Sequence, residues 1–427
     1  MDGKRGGTVE RATVGAEEAL LVLGNATLID GTGRPPIEDA RVVLRGERIV
    51  AAGPAREIAL PQAAHQFLDL ESAFILPGLI DVHVHLTVEG GPSGTFENAE
   101  DDSLLTTLWQ AQRTLQAGFT TVRDLGGRNY VEFTVRRAID RGMFFGPRLV
   151  LAGKIVSMTS AGALYWPGMY READGPDEVR KATREQLKAG VDVVKVMATG
   201  SAMTPGERPA SQYSVEEMRA AVEEAHKVGR PVAAHASGVE GIRNALDAGV
   251  DHIEHGSYLH EDPVALGRMA SQGVFLVPTC KAFATVVRRG SQAGIPEWMV
   301  AQNRLEYENN RNSLMAAAAA GVRIALGTDA GGPLNRHGEN AEELSYLVDA
   351  GLSPMQAIVA ATSVAAECVG LSGQIGTVEA GKRGDLVVVT RNPLDDINAL
   401  AQRENIALVI KNGVPVARQG TLLAPRG

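Results

Sequence analysis

The chain has 427 residues, 44% of them hydrophobic and 22% charged, with 48 Gly, 20 Pro and a formal net charge of -9. That length can bury a large core in roughly two or three units, and the composition is that of a turn-rich globular protein rather than a disordered one. Charges of both signs are interspersed, so no basic track for nucleic acid exists, and no apolar run is long enough to span a bilayer.

Cys280 and Cys368 are the only cysteines, too few for a disulfide framework. The opening MDGKRGGTVERATVGAEE lacks the apolar core of a signal peptide and reads as a flexible leader over 1–18. Together these features predict a cytoplasmic protein without a membrane partner.

From Ala19 to Phe74 the chain predicts short strands: ALLVLGNATLIDG, ARVVLRGERIVAAG and HQFLDLESAFIL place β-branched residues between Gly, Asn and Asp turns. The same texture returns after Leu371, in IGTVEAGKRGDLVVVT and IALVIKNGVPVARQGTLL. The economical reading is one small β-sandwich assembled from both chain ends, 19–77 with 371–427.

Between these flanks, apolar strand runs alternate with helical patterns, the signature of βαβ units and a parallel sheet. Eight strand candidates occur in order: GLIDVHVHL (78–86), FTTVRD (119–124), RLVLAGKIV (148–156), VDVVKVMA (191–198), RPVAAHA (230–236), DHIEHG (251–256), VFLVPT (274–279) and RIALGTDA (323–330). Ser214 with Glu217 forms a capping box before a helix that runs to His226. Ser353, Pro354 and Gln356 open another helix, which Gly370 closes. Eight such units predict an α/β fold, a (β/α)8 barrel over 78–370, with its chemistry at the C-terminal ends of the strands. The irregular stretches 87–101, 157–175, 199–213 and 280–297 all follow strands and are expected over that face.

Five of the eight strands end in a potential metal ligand. His83 and His85 sit at alternate positions of the first strand and so point the same way. Lys195, His235, His255 and Asp329 belong to the fourth, fifth, sixth and eighth. A single His in a strand reads equally well as a satisfied core residue. Four of the chain's 9 His at equivalent strand ends, with one Asp, point instead to a site for zinc or a related divalent metal. Lys195 lies within the apolar run VVKVM, where an unpaired ammonium is costly. Burial would free its amine to form a carbamate with carbon dioxide; a lysine paired with a carboxylate is the other reading.

LPGLIDVHVHL, VVKVMATG, AAHASG, HIEHGS and LGTDAG, with LIDGTG before them and AGKRGDLVVV after, resemble in content and order the amidohydrolase superfamily. The similarity is to its imidazolonepropionase-like and prolidase-like branch, and it spans nearly the whole chain. It implies a binuclear centre: His83, His85 and Asp329 on the more buried metal, His235 and His255 on the other, and carboxylated Lys195 between them. The metals are zinc by preference, with manganese, cobalt or iron also accepted. It further implies hydrolysis of an amide-type C–N bond in a small-molecule substrate by metal-activated hydroxide, with Asp329 moving the proton to the leaving nitrogen. A homo-oligomer is the expected assembly.

Tyr258 and His337 are candidates for substrate contact, with loop packing or helix capping as the plain alternative. The branch often carries Gly-Gly-His-Gly after the third strand, whereas this chain reads Met158-Thr159-Ser160-Ala161-Gly162-Ala163-Leu164-Tyr165-Trp166. Tyr165 and Trp166 therefore predict an apolar pocket and an amide, carbamate, urea or N-acyl amino acid with an apolar or aromatic portion. A Xaa-Pro or related dipeptide is the alternative. A mononuclear deaminase or cyclic-amidine hydrolase is disfavoured by Lys195, and a non-catalytic scaffold by retention of all six ligands.

Overall fold

The computed structural model describes residues 20–91, 102–203 and 209–424. The expected leader, and parts of the expected loops at 87–101 and 199–213, lie outside the described residues. The first strands are Leu20–Leu28 (β1), Ile37–Arg45 (β2), Arg48–Pro54 (β3) and His65–Pro77 (β4). Next come Leu79–Val84 (β5), Phe119–Asp124 (β6), Arg148–Leu151 (β7), Ile155–Ser157 (β8), Tyr170–Glu172 (β9), Val194–Met197 (β10), Val232–Ala236 (β11), His252–His255 (β12), Phe275–Val277 (β13) and Arg323–Ile324 (β14). The chain finishes with Leu386–Val389 (β15), Ile406–Lys411 (β16), Val414–Arg418 (β17) and Thr421–Leu422 (β18).

Both chain ends share one eight-stranded sheet, ordered β18-β17-β16-β15-β4-β1-β2-β3. Only β1 with β4 is parallel there. Leu21, Leu23, Val42, Leu44, Ile75, Leu386, Val388 and Ile410 form its core, which explains why these strands are so rich in Leu and Val. Arg148 of β7 ties the central unit to this sheet, donating to Asp385 at 2.6 Å and Asn412 at 2.8 Å.

The central strands are all parallel, in the orders β5-β6-β7 and β14-β13-β12-β11-β10-β8-β9. β5, β6, β10 and β12 are buried at every position, as strands covered on both faces must be. Helices such as Pro176–Ala189 and Val215–His226 separate them and supply much of the largest apolar cluster.

Three local expectations are corrected. The third strand is two strands, β7 and β8, because Gly153 at φ +67° breaks the extended run. The helix expected from Ser353 to Gly370 is two, Pro354–Ala360 and Ser363–Cys368, interrupted where the Thr362 hydroxyl bonds back to Ile358 O at 2.6 Å. Residues 280–289 form a helix rather than a loop, because the Glu343 carboxylate accepts the N–H groups of Cys280 and Lys281 at 2.9 and 2.7 Å. The predicted capping box of Ser214 with Glu217 is present, and Ser353 with Gln356 forms a second one. Among the described residues no helix is long and apolar enough to cross a membrane.

Candidate metal centre

Asp329 follows the short β14, and four backbone bonds, the longest from Thr328 N to His83 O at 3.3 Å, hold its segment against residues 82–85. Val82 N donates to Leu326 O at 2.9 Å, Asp329 N to His83 O at 2.7 Å, and His85 N to Ala330 O at 2.8 Å. Gly327 permits this approach, since a Cβ there would lie 2.4 Å from Val277 Cγ1 and 2.8 Å from His83 Cβ. Buried Asp81 locks the two segments together. Its Oδ1 accepts from the N–H of His83 and of Thr328, and its Oδ2 accepts the Thr328 hydroxyl at 2.6 Å and Asn340 Nδ2 at 2.7 Å.

His83 and His85 project from one face of the β5 segment. Their Nε2 atoms stand 3.6 and 3.3 Å from Asp329 Oδ1. His255 is at φ +70° and Asp329 at φ +55°. Strand alternation would turn His255 away from the face used by His252 and Glu254. The left-handed backbone brings it back, a strained geometry of the kind that concentrates at functional sites. The ring centroids of His235 and His255 lie 4.3 Å apart, and those of His83 and His255 5.1 Å.

Each imidazole has one anchored nitrogen. His83 Nδ1 meets Glu254 Oε2 at 2.7 Å, and His85 Nδ1 meets Gly126 O at 3.0 Å. His255 Nδ1 meets the Thr279 hydroxyl at 2.7 Å, and His235 Nε2 meets Gly200 O at 3.2 Å. Anchoring by acceptors of this kind fixes tautomer and ring plane in metal-binding histidines. Burial, followed by the nearby Lys195 charge, holds the His83 ring well below its ordinary pKa. Burial and then His235 do the same for His255. Both rings are therefore neutral, the form that binds metal. Burial would raise Asp329, but its hydrogen bond to His85 and the charge of His83 leave it lowered and ionised.

Lys195 Nζ is buried without a hydrogen-bond partner among the described residues. Burial, opposed by Glu254 and Asp329, brings it down to about 8. His83, His85, Lys195, His235, His255 and Asp329 all line one cavity of about 510 Å³. Donor atoms of His83, His255 and Asp329 lie within 4.8 Å of one another. Against the pull of burial, Asp329 in turn raises the His85 pKa above its ordinary value. An orphaned buried amine among four anchored imidazoles and an ionised carboxylate fits a divalent metal centre.

The rest of the wall is mainly apolar, including Val88, Ile155, Trp166, Met169 and Met197, with Tyr170 and Ser201 as its hydroxyl-bearing members. A second lobe of about 390 Å³ shares His235, His255 and Asp329 and adds Phe283, Val286 and Asn303. Trp166 belongs to the first wall, while Tyr165 is 40% exposed beside it, with ring centroids 6.4 Å apart. Neither Tyr258 nor His337 is in either lining. Tyr258 begins the turn Leu259–Glu261, with its N–H bonded to Ser237 O. His337 is buried behind the first strand, where its Nε2 meets His85 O at 3.1 Å. Burial brings its pKa down to about 3, so the neutral ring serves as a brace for the His85 backbone.

The family model described as "Amidohydrolase family" matches residues 74–416. The chain belongs to the amidohydrolase family. This amidohydrolase is 30% identical to ochratoxinase of Aspergillus niger, over 93% of its own length and 86% of the relative's. It is similar to a solved prolidase complexed with N-methylphosphonate-L-proline, at 32% identity and a TM-score of 0.85, covering 94% of this chain and 100% of that one. A Xaa-Pro dipeptidase with methionine bound in its active site matches at 30% identity and a TM-score of 0.83, covering 93% and 99%. The chain is thus an enzyme of the prolidase-like branch of the family and hydrolyses an amide-type C–N bond.

Residues that sequence reasoning did not single out complete the site. Arg123 and Glu254 were visible as charges within the short strands FTTVRD and HIEH. Asp81 was visible in the same way, as a carboxylate in LIDVHV, whereas Thr279 carried no comparable signal.

Proposed function

We propose that this amidohydrolase uses two divalent metals to hydrolyse an amide, carbamate, urea or N-acyl amino acid with an apolar or aromatic portion. The observation that carries this reading is the convergence of all six candidate ligands on one cavity whose other wall is mainly Trp, Tyr, Met and aliphatic side chains. His83, His85 and Asp329 would hold one metal, and His235 and His255 the other. Lys195 would bridge them after its neutral amine adds to carbon dioxide and releases a proton; burial favours that neutral amine. Bound there, the metals lower the pKa of water and polarise the scissile carbonyl.

Asp329 accepts the proton of the attacking water and returns it to the leaving nitrogen, a transfer that needs a carboxylate fixed beside the reacting atoms. The Asp329 N–H bond to His83 O and the contact of its carboxylate with His85 supply that fixity. The lobe around Trp166 and Met169 takes the apolar group and excludes water, and the lobe around Phe283 takes the other side of the bond. A Xaa-Pro or related dipeptide is the second reading, favoured by the two peptidase structures this chain is similar to.

The central strands are proposed to close as a (β/α)8 barrel over 78–370, supported by the backbone bonds between β5 and the Leu326–Ala330 segment. The chain ends, 19–77 and 371–427, would form the β-sandwich domain. Bonds from Ile49 N to Lys382 O and from Gly384 N to Glu47 O, both 2.9 and 2.8 Å respectively, support it by curling the sheet back on itself.

The test is a hydrolysis panel of aryl amides, N-acyl aromatic amino acids and Xaa-Pro dipeptides. Turnover of the first two classes is expected, turnover confined to dipeptides favours the second reading, and inactivity on all three contradicts both. With an aromatic substrate, Trp166→Ala is expected to raise KM by about 10-fold or more, because a buried aromatic contact contributes on the order of 1.5–3 kcal/mol. Metal content is expected to be unchanged. An unaltered KM would remove Trp166 from the substrate wall.

A further inference from the structure

Behind His83 lies a chain of buried charge that the proposed chemistry does not use. Glu254 Oε2 meets His83 Nδ1 at 2.7 Å, and Glu254 Oε1 accepts Arg123 Nη2 at 2.8 Å. Arg123 is fixed in turn, with Nε donating to Val82 O at 2.5 Å and Nη1 to His252 Nδ1 at 2.8 Å. Arg123 and Glu254 are 1% and 0% exposed. One guanidinium therefore joins β5, β6 and β12 and leaves the carboxylate no freedom to rotate.

Stability alone is a weak explanation for this network. Burying an ion pair costs desolvation free energy that its attraction barely offsets, and apolar replacements of similar volume are often neutral or better. A fixed carboxylate on the far nitrogen of a metal-binding imidazole has a definite effect. It holds the proton on Nδ1, directs the Nε2 lone pair outward and raises the ring's basicity.

We propose that Glu254, locked by Arg123, is a positioning residue that sets the tautomer and donor strength of His83 toward the metal. This rests on the binuclear reading above. A glutamine at 254 has one acceptor and one donor end. Whichever way it lies, an NH2 faces either the Arg123 N–H or the His83 N–H. The acceptor on one of the two donors is lost in either orientation.

The test uses the full-length protein loaded with zinc and titrated with a competing chelator, with the thermal midpoint of the metal-free protein measured alongside. Wild-type metal content comes first; a wild type that binds none overturns the metal centre itself, independently of Glu254. Given a loaded wild type, Glu254→Gln is expected to lose metal at about 10- to 100-fold lower chelator concentration. Unchanged retention by folded Glu254→Gln overturns the proposal, even if the metal-free midpoint falls, because that is the outcome of a purely structural role. Should Glu254→Gln fail to fold, Glu254→Asp keeps the charge for Arg123 while shortening the reach to His83. The same loss of retention supports the proposal in that variant, and wild-type retention overturns it.

Discussion

Lys195→Ala is expected to reduce kcat/KM by at least about 10²-fold on any substrate the enzyme turns over. Losing a residue that merely orients a ligand weakens metal sites or activity by about 10- to 100-fold, and loss of a bridging ligand should exceed that. The structure shows why this lysine is exposed to such a test. Its amine is buried, unpartnered among the described residues and brought down to about 8 by burial, and it opens on the same cavity as four histidines and Asp329. Burial loosens the hold of the amine on its proton, and a carbamate formed there would supply oxygen donors. Formate, acetate or propionate should therefore restore part of the activity by occupying the vacated volume. Full activity of the alanine variant, with no response to carboxylic acids, would remove the bridging role.

Asp329→Asn is expected to lower kcat by about 10²–10⁴-fold, the range associated with loss of a positioned proton-transfer group, with a smaller effect on KM. Asparagine tolerates the φ of +55° that Asp329 adopts, so the backbone should survive and the loss would be chemical. Measuring metal content in the same samples separates loss of a ligand from loss of the proton acceptor. A kcat within about 10-fold of wild type, below the usual range for such a group, would assign the proton transfer elsewhere.

Most of the candidate site was legible because strand geometry converts sequence period into direction. His83 and His85 two apart, and a polar residue near the end of successive apolar strands, could be read without coordinates. What could not be read depends on departures from regular structure. His255 and Asp329 reach the cavity through left-handed backbone, which no period predicts. The strand expected over 323–330 keeps ladder geometry only at Arg323 and Ile324, because the segment after it bends around Gly327 and Asp81 to present Asp329. His337 had the right residue type and position for substrate contact, yet it packs behind His85. Its destination was set by a contact with a residue 252 positions away. The glutamate next to His255 was readable as a misplaced charge, but its partner Arg123 lies 131 residues earlier. Only the assembled sheet brings the two together.

The central claim is that side chains from β5, β10, β11, β12 and the segment after β14 together bind a pair of metal ions. Elemental analysis of protein purified with zinc and bicarbonate supplied tests it most directly. The expected result is about two divalent ions per chain, as a binuclear hydrolytic centre requires. Protein that stays metal-free, or binds only about one ion per chain, would contradict the account.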